Sequence, residues 1–273
     1  MEIVKPQTPS YQAVLISACL LLVLSFGYRA GFGLFMVPMS EAREWGRDVF
    51  GLALAIQNLS WGVCAILAGA LADKYGNLRV LLGGVALYAI GMVGMSVSST
   101  ETQIVSTAGL LVGAGIAGTS FGIVLPSMAR AVPEEKRARA LVFGTAAGSF
   151  GQFLVVPVID SVVDLFGWMH SLQFLGLSAF LMGLLCIPLS KFGGANETTK
   201  ADSKASISLK HVALKACSIK SYRLLVLGFF VCGFHVAFIT VHMPGYVVDL
   251  GFDPQIGAWS ISLIGLCNVI GAY

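Results

Sequence analysis

Residues 69–79 read GALADKYGNLR. The stretch separates two apolar runs, 49–71 before it and 80–98 after it. Each run is close to the roughly 20 residues that an α-helix needs to cross a bilayer core. Asp73 and Lys74 set opposite charges where the first run ends, Gly76 permits a tight reversal, and Arg79 opens the second run. Gly69, one turn before the charges, is expected to let a neighbouring helix approach closely. The stretch therefore reads as a hairpin turn at a membrane surface.

Working outward, further apolar runs occupy 13–37, 104–128, 140–165, 170–190, 223–247 and 256–273. The chain thus has seven spans and the start of an eighth. Its composition agrees, with 56% hydrophobic and 11% charged residues among 273. A soluble chain carries about 25% charged residues, so lipid is the expected partner of most of this surface. The first run is longer than the roughly 7–15 residues of a signal-peptide core, and no small-residue cleavage site follows it. A scattered net charge of +3 gives no reason to expect a nucleic-acid partner.

The basic residues are distributed unevenly. Fourteen of the 17 lie before the first span or in the loops after the second, fourth and sixth, and only Arg43 and Arg47 lie in the opposite set of loops. By the positive-inside rule this places the N-terminus and the longest loop in the cytoplasm. The expected organisation is a six-helix bundle over 1–191, a cytoplasmic linker over 192–221 and the start of a second bundle over 222–273. The linker is rich in Thr, Lys, Ser and Asp and reads as a flexible tether, although 207–219 also has the pattern of a short amphipathic helix.

An offset of 206 residues aligns the first and seventh spans without a gap. Gly27-Tyr28-Arg29 falls on Gly233-Phe234-His235, Phe32 on Phe238, Pro38 on Pro244 and Gly51 on Gly257. Parallel repeats of this kind relate transporter halves about an axis along the membrane normal. The counterpart of Gly69–Gly76 would begin at about residue 275, so the chain is expected to be a piece of a longer protein, broken within helix eight.

On these residues the chain resembles the major facilitator superfamily. GALADKYGNLR resembles the signature loop between helices two and three of that family. GYRAGFGLFMVPM (27–39), FGLALAIQNLSWG (50–62), AGTSFGIVLPSMAR (117–130), GTAAGSFGQF (144–153) and FHVAFITVHMPGYVVDLG (234–251) are similar to a bacterial branch near the monocarboxylate and oxalate–formate transporters. The resemblance implies an all-α integral membrane fold of twelve helices in two bundles, alternating access, and a bacterial inner membrane. It also implies a gating loop of Gly69, Asp73, Lys74, Gly76 and Arg79, in which the aspartate pairs across the bundle interface. Two departures stand out. Thr107 to Met128 holds no charged residue, where many proton-coupled members carry an arginine in helix four. The glycine-proline pair of drug antiporters is absent from the fifth span, which instead spaces Gly144, Gly148 and Gly151 for close packing.

Arg29 is the cation within a span. Burying it in the bilayer costs at least about 2.5–3.5 kcal/mol, and its planar fork suits a carboxylate. Substrate binding or gating is the functional reading; snorkelling to the interface or a structural partner is the alternative. His235 is its repeat mate and is expected to face it across a central cavity, where an imidazole can also carry a proton. His242, seven residues on, is a candidate for the outer mouth. Tyr28, Gln57, Trp61 and Gln152 complete the candidate substrate-binding set, with interhelical packing as the alternative for each. Asp160 and Asp164 fall near the outer interface, leaving no carboxylate expected at the midplane.

These features point to a transporter of a small solute, with an organic anion such as a monocarboxylate as substrate, possibly moved with a proton. No oligomer is required. A non-transporting membrane sensor on the same fold, or a carrier of another solute class such as a drug exporter, is the alternative. An enzyme is not indicated, since HExxH and GxSxG are absent, and neither is an ATP-driven pump, since the phosphate-binding Gly-x-x-x-x-Gly-Lys loop is absent. The six cysteines form no CxxC pair, and neither a metal nor another cofactor is expected.

Overall fold

The computed structural model describes residues 11–190 and 209–272, and they are helical almost throughout. α1 is Tyr11–Arg43, α2 Arg47–Tyr75, α3 Asn77–Val97 and α4 Glu101–Ala131. Glu134–Leu189 is continuous by hydrogen bonding, but Gly167 breaks it at φ +74° and ψ 163°. The chain reverses there, and Ser171 donates back to the Val162 carbonyl at 3.0 Å. The two arms, 134–166 and 168–189, are α5 and α6. α7 is Leu209–Ser218, α8 Lys220–Asp249 and α9 Pro254–Gly271. Helix satisfies backbone hydrogen bonds within each segment, which lipid cannot do.

Local chemistry sets the ends. Thr100 and Gln103 form a reciprocal capping box at the start of α4. Asp253 accepts from the Gln255 N–H at the start of α9, with Pro254 next to it. Gly76 ends α2 at φ +87° while its N–H bonds the Ala72 carbonyl at 2.9 Å. Large apolar side chains cover the outside, among them Leu165, Phe174, Leu181 and Leu184. A water-facing surface would not sustain such a patch, whereas lipid does.

Between helices, small residues set the spacing. Gly151 of α5 lies so close to α1 that an added Cβ would stand 2.1 Å from the Val23 carbonyl. Gly144 and Gly148 similarly accommodate Met128 and Phe121 of α4, so the spacing read from the fifth span does place glycines at tight crossings. Tyr88 of α3 is fully buried and donates to the Ser25 carbonyl of α1 at 2.9 Å. Gly69 corrects its expectation: a Cβ there would meet nothing within 4 Å. The close approach of α2 falls higher up, where Gly113 of α4 packs on Gln57 and Ser60.

α8 and α9 join the first six helices along a seam. α9 lies on α5, where Gln152 donates to the Ile261 carbonyl at 2.8 Å and Ser262 to the Phe153 carbonyl at 2.7 Å. α8 meets α1 at Gly33, whose Cβ would stand 2.2 Å from the Thr240 carbonyl. Arg47, opening α2, forms an ion pair with Asp249 at the end of α8 and donates to the Gly245 carbonyl. The α1–α8 approach and the Arg47–Asp249 pair close the seam towards the end of the molecule bearing Arg47, and the α5–α9 contacts lie midway along both helices. Towards the other end, residues 217–236 are exposed, and so are Asp73 and Lys74 of the α2–α3 turn.

Part of the linker departs from the tether reading. Leu209–Ser218 is an α-helix containing Cys217, in the stretch whose pattern also read as amphipathic. Residues 191–208, holding the rest of the linker, and the N-terminal tail with Lys5 lie outside the described residues.

Candidate functional site

Arg29 sits just past the middle of α1, shortly before the helix tightens into a 3-10 turn at Gly31–Phe35. Its Nη2 donates to Asn58 Oδ1 of α2 at 2.9 Å. The guanidinium also lies over the Trp61 ring, 4.8 Å from its centroid. Asn58 is fixed in turn by its own donation to the Leu54 carbonyl at 2.8 Å. Both contacts of Arg29 are neutral, and no described carboxylate forms an ion pair with it.

The energies of this arrangement nearly balance. A hydrogen bond to a charged group contributes about 1.5–3 kcal/mol, and a desolvated cation–π contact about 2. Together these are comparable to the cost of holding an arginine within the bilayer. The cradle can therefore keep Arg29 in place with one of its five N–H donors in use and the charge uncompensated.

The aromatic wall continues behind it. Phe26 meets Trp61 edge-on at 5.9 Å and stacks on Phe121 at 4.2 Å. Phe121 restarts α4 after a break at Ser120, whose backbone is extended at φ −88° and ψ 180°. The positive end of a short helix dipole thus comes close to the same aromatic group. A seven-residue π-helical segment at Val105–Leu111 lies near the start of α4, and such segments often mark functional positions.

Asn58 and Trp61 also line a crevice of about 750 Å³ between α2 and α8. Phe230, Phe234, Phe238 and His242 form the opposite wall. The walls are mostly apolar, and the polar groups are few: Asn58, the Trp61 indole and His242, with Arg29 behind the first two.

Of the other sequence candidates, Tyr28 is buried and shares a hydrogen bond with Ser178 of α6 at 2.9 Å, facing the bundle core. Gln57 is buried and donates to the Ala108 carbonyl of α4 at 2.9 Å. It ties α2 to α4, which is the interhelical packing alternative for this residue. Gln152 spans the α5–α9 seam. His242 lines the crevice between α2 and α8.

The expected facing of Arg29 and His235 is not formed. His235 is exposed, and its Nδ1 hydrogen-bonds the Val231 carbonyl of its own helix at 2.8 Å. The α8 stripe turned towards α2 centres on Phe230, Phe234 and Val241. His235, one residue or about 100° past Phe234, stands at the margin of that stripe. Repeat symmetry gave the equivalent position along the helix, and the packing of α8 gave a different rotation.

Two contributors escaped the candidate set, Asn58 and Phe26. Asn58 lies three residues before Trp61, so helical spacing alone puts both on one face. Phe26 lies three before Arg29 and gave no signal apart from that spacing. In the gating loop, Lys74 Nζ lies 5.0 Å from the Tyr75 ring centroid, and Arg79 borders a second crevice of about 360 Å³ between α2, α3 and α4. Asp73 is exposed and forms no ion pair with a described residue, in keeping with the open seam at its end.

The family model described as Major Facilitator Superfamily matches residues 18–273. Monocarboxylate transporter 13 of Bos taurus is 26% identical over 272 residues, covering 94% of this chain and 59% of that protein. The agnestins efflux protein AgnL12 of Paecilomyces divaricatus is 25% identical, covering 97% and 59%. The inner membrane transport protein YajR of Escherichia coli is 25% identical, covering 88% and 50%. The chain thus spans between half and three-fifths of the length of these relatives. Among solved structures, a D-xylose–proton symporter superposes with a TM-score of 0.64 at 17% identity, over 96% of this chain and 67% of that one. That likeness is one of fold.

Proposed function

The chain belongs to the major facilitator superfamily, and from that premise we propose that the protein carries a small organic anion across a membrane by alternating access, with Arg29 as the anion-binding group. The observation carrying this reading is the neutral cradle of Arg29: a guanidinium held by Asn58 and Trp61, with no carboxylate partner among the described residues and both holders lining a crevice. A substrate carboxylate would supply the missing counter-charge through a bidentate, charge-assisted contact. The bovine relative is a monocarboxylate transporter, which supports the same substrate class.

The remaining parts of the proposal rest on sequence. The basic-residue asymmetry supports a cytoplasmic N-terminus, and the likeness to an inner membrane transport protein supports a bacterial inner membrane. The 206-residue repeat supports two bundles joined by the 192–221 linker. The Asp73 loop serves as the gate at the end where the seam stands open.

A second reading, export of a larger apolar compound, is favoured by the aromatic lining of the crevice and by the fungal efflux relative. One experiment separates the two. The intact protein is reconstituted in proteoliposomes and assayed by counterflow with radiolabelled monocarboxylates and with an uncharged aromatic compound. Saturable exchange of a monocarboxylate, weakened at least tenfold by Arg29→Lys, supports the anion reading. Exchange of the uncharged compound alone, unaffected by Arg29→Gln, would replace it with the second.

A further inference from the structure

From α7 into the first turn of α8 the charge is all of one sign. Residues 209–223 read LKHVALKACSIKSYR, with Lys210, Lys215, Lys220 and Arg223 and no aspartate or glutamate. Lys215, Lys220 and Arg223 are exposed, and none of the three forms an ion pair with a described residue. Large apolar side chains stand exposed among them, Leu214, Ile219 and Tyr222. In the sequence, Leu209, Val212, Ala213 and Ala216 recur at the spacing of one helix face. Basic residues interleaved with apolar ones on a short helix are the composition of a segment lying in a bilayer interface.

The position of α7 agrees with that composition. α8 turns uncharged and mostly apolar directly after Arg223 and stays so for more than 20 residues, which sets the membrane border at its first turn. Tyr222, in that turn, is of the amphipathic type enriched at such borders. Only Ile219 separates α7 from α8, with its backbone extended at φ −83° and ψ 120°. One extended residue reaches about 3.5 Å, so the C-terminal end of α7 is confined to the level of the headgroups. The same break ends the helical hydrogen bonding, so α7 has an axis of its own.

We propose that α7 binds the anionic phospholipid headgroups of the leaflet it borders, and so anchors the start of α8 to the membrane surface. Charge complementarity selects the occupant. Each lysine or arginine held near an anionic surface strengthens binding about fivefold, and a zwitterionic surface forgoes that gain. The exposed leucine, isoleucine and tyrosine enter the acyl boundary once the charges have brought the helix down. The anchor acts where the fold supplies least support, since residues 217–236 are exposed. The lipid surface is distinct from the Arg29 crevice, and the proposal does not rest on anion transport.

The test uses the intact protein and no substrate. Cys217 of α7 is exposed and takes a nitroxide label, with the other native cysteines replaced. The label's collisions with oxygen, which favours lipid, and with a neutral water-soluble nickel chelate are compared in nanodiscs. One set contains phosphatidylcholine alone and the other an equal mixture with phosphatidylglycerol. The oxygen-to-nickel ratio should be several-fold higher in the mixture. Salt at about 1 M, where the screening length is roughly 3 Å, should remove most of that rise. Changing Lys215, Lys220 and Arg223 together to glutamine should abolish it, and changing the two lysines to arginine should preserve it. Should the glutamine variant fail to insert, the salt dependence of the labelled parent decides. Free glycerol phosphate should leave the ratio unmoved, and release by it would assign the site to a soluble phosphate instead. A ratio equal in the two lipids, a rise that survives salt, or a rise that survives the glutamine changes would overturn the proposal.

Discussion

The Arg29 guanidinium of α1 donates to Asn58 Oδ1 of α2 at 2.9 Å, and this neutral pairing leaves the arginine's charge available. Asn58→Asp tests that relationship. The new carboxylate would pair with Arg29 permanently and compete with any anionic substrate. Competition for a charge-assisted hydrogen bond of about 1.5–3 kcal/mol corresponds to roughly a ten- to hundredfold loss. The KM for an organic anion should rise by that factor while expression and thermal stability hold. An unchanged KM would show that substrate does not use Arg29.

Gly33 sits where α1 and α8 touch, with the Thr240 carbonyl 2.2 Å from the position of a Cβ. That atom belongs to backbone, so no rotamer change can relieve the clash, and Gly33→Val must push the helices apart. The Arg47–Asp249 end should then open. A short bis-maleimide bridging Arg47→Cys and Asp249→Cys should cross-link readily in the parent background. The yield should fall several-fold with Gly33→Val. Equal yields would mean that this contact does not control the seam.

Gln57 separates a structural role from a substrate role. Its amide donates to the Ala108 carbonyl inside the bundle, away from the crevice. Gln57→Leu removes that hydrogen bond, at a cost of about 0.5–1.5 kcal/mol. Thermal unfolding in detergent should occur several degrees lower, with KM for substrate unchanged. A changed KM with unchanged stability would restore Gln57 to the binding set.

Asp73 is exposed at the open end and forms no ion pair with a described residue. Asp73→Asn should therefore leave insertion and unfolding temperature as they are. If the loop gates the opposite conformation, transport should fall by an order of magnitude or more. A normal rate would reduce the 69–79 stretch to an anchoring turn.

Membrane orientation is testable at Ser203 of the linker. A cysteine placed there should resist a membrane-impermeant maleimide in intact cells and react once the membrane is opened. Ready labelling from outside would invert the topology.

Sequence by itself determined the membrane class, the positions of the eight spans and the family. These depend on run length, charge placement and a short loop motif, which act locally: lipid forces any long apolar run into helix whatever its neighbours. The glycine spacing at Gly144, Gly148 and Gly151 was legible for the same reason, since small residues govern close approach in lipid. The rotation of each helix was decided only by the tertiary structure. Gln57 and Tyr28 read as polar candidates, yet packing turns them to Ala108 and Ser178. His235 matched Arg29 in register, yet α8 turns a neighbouring stripe to α2. Asp160 read as an interfacial carboxylate, and only the meeting of four helices encloses it. Side-chain environment depends on which helices meet and at what angle, and no single span encodes either.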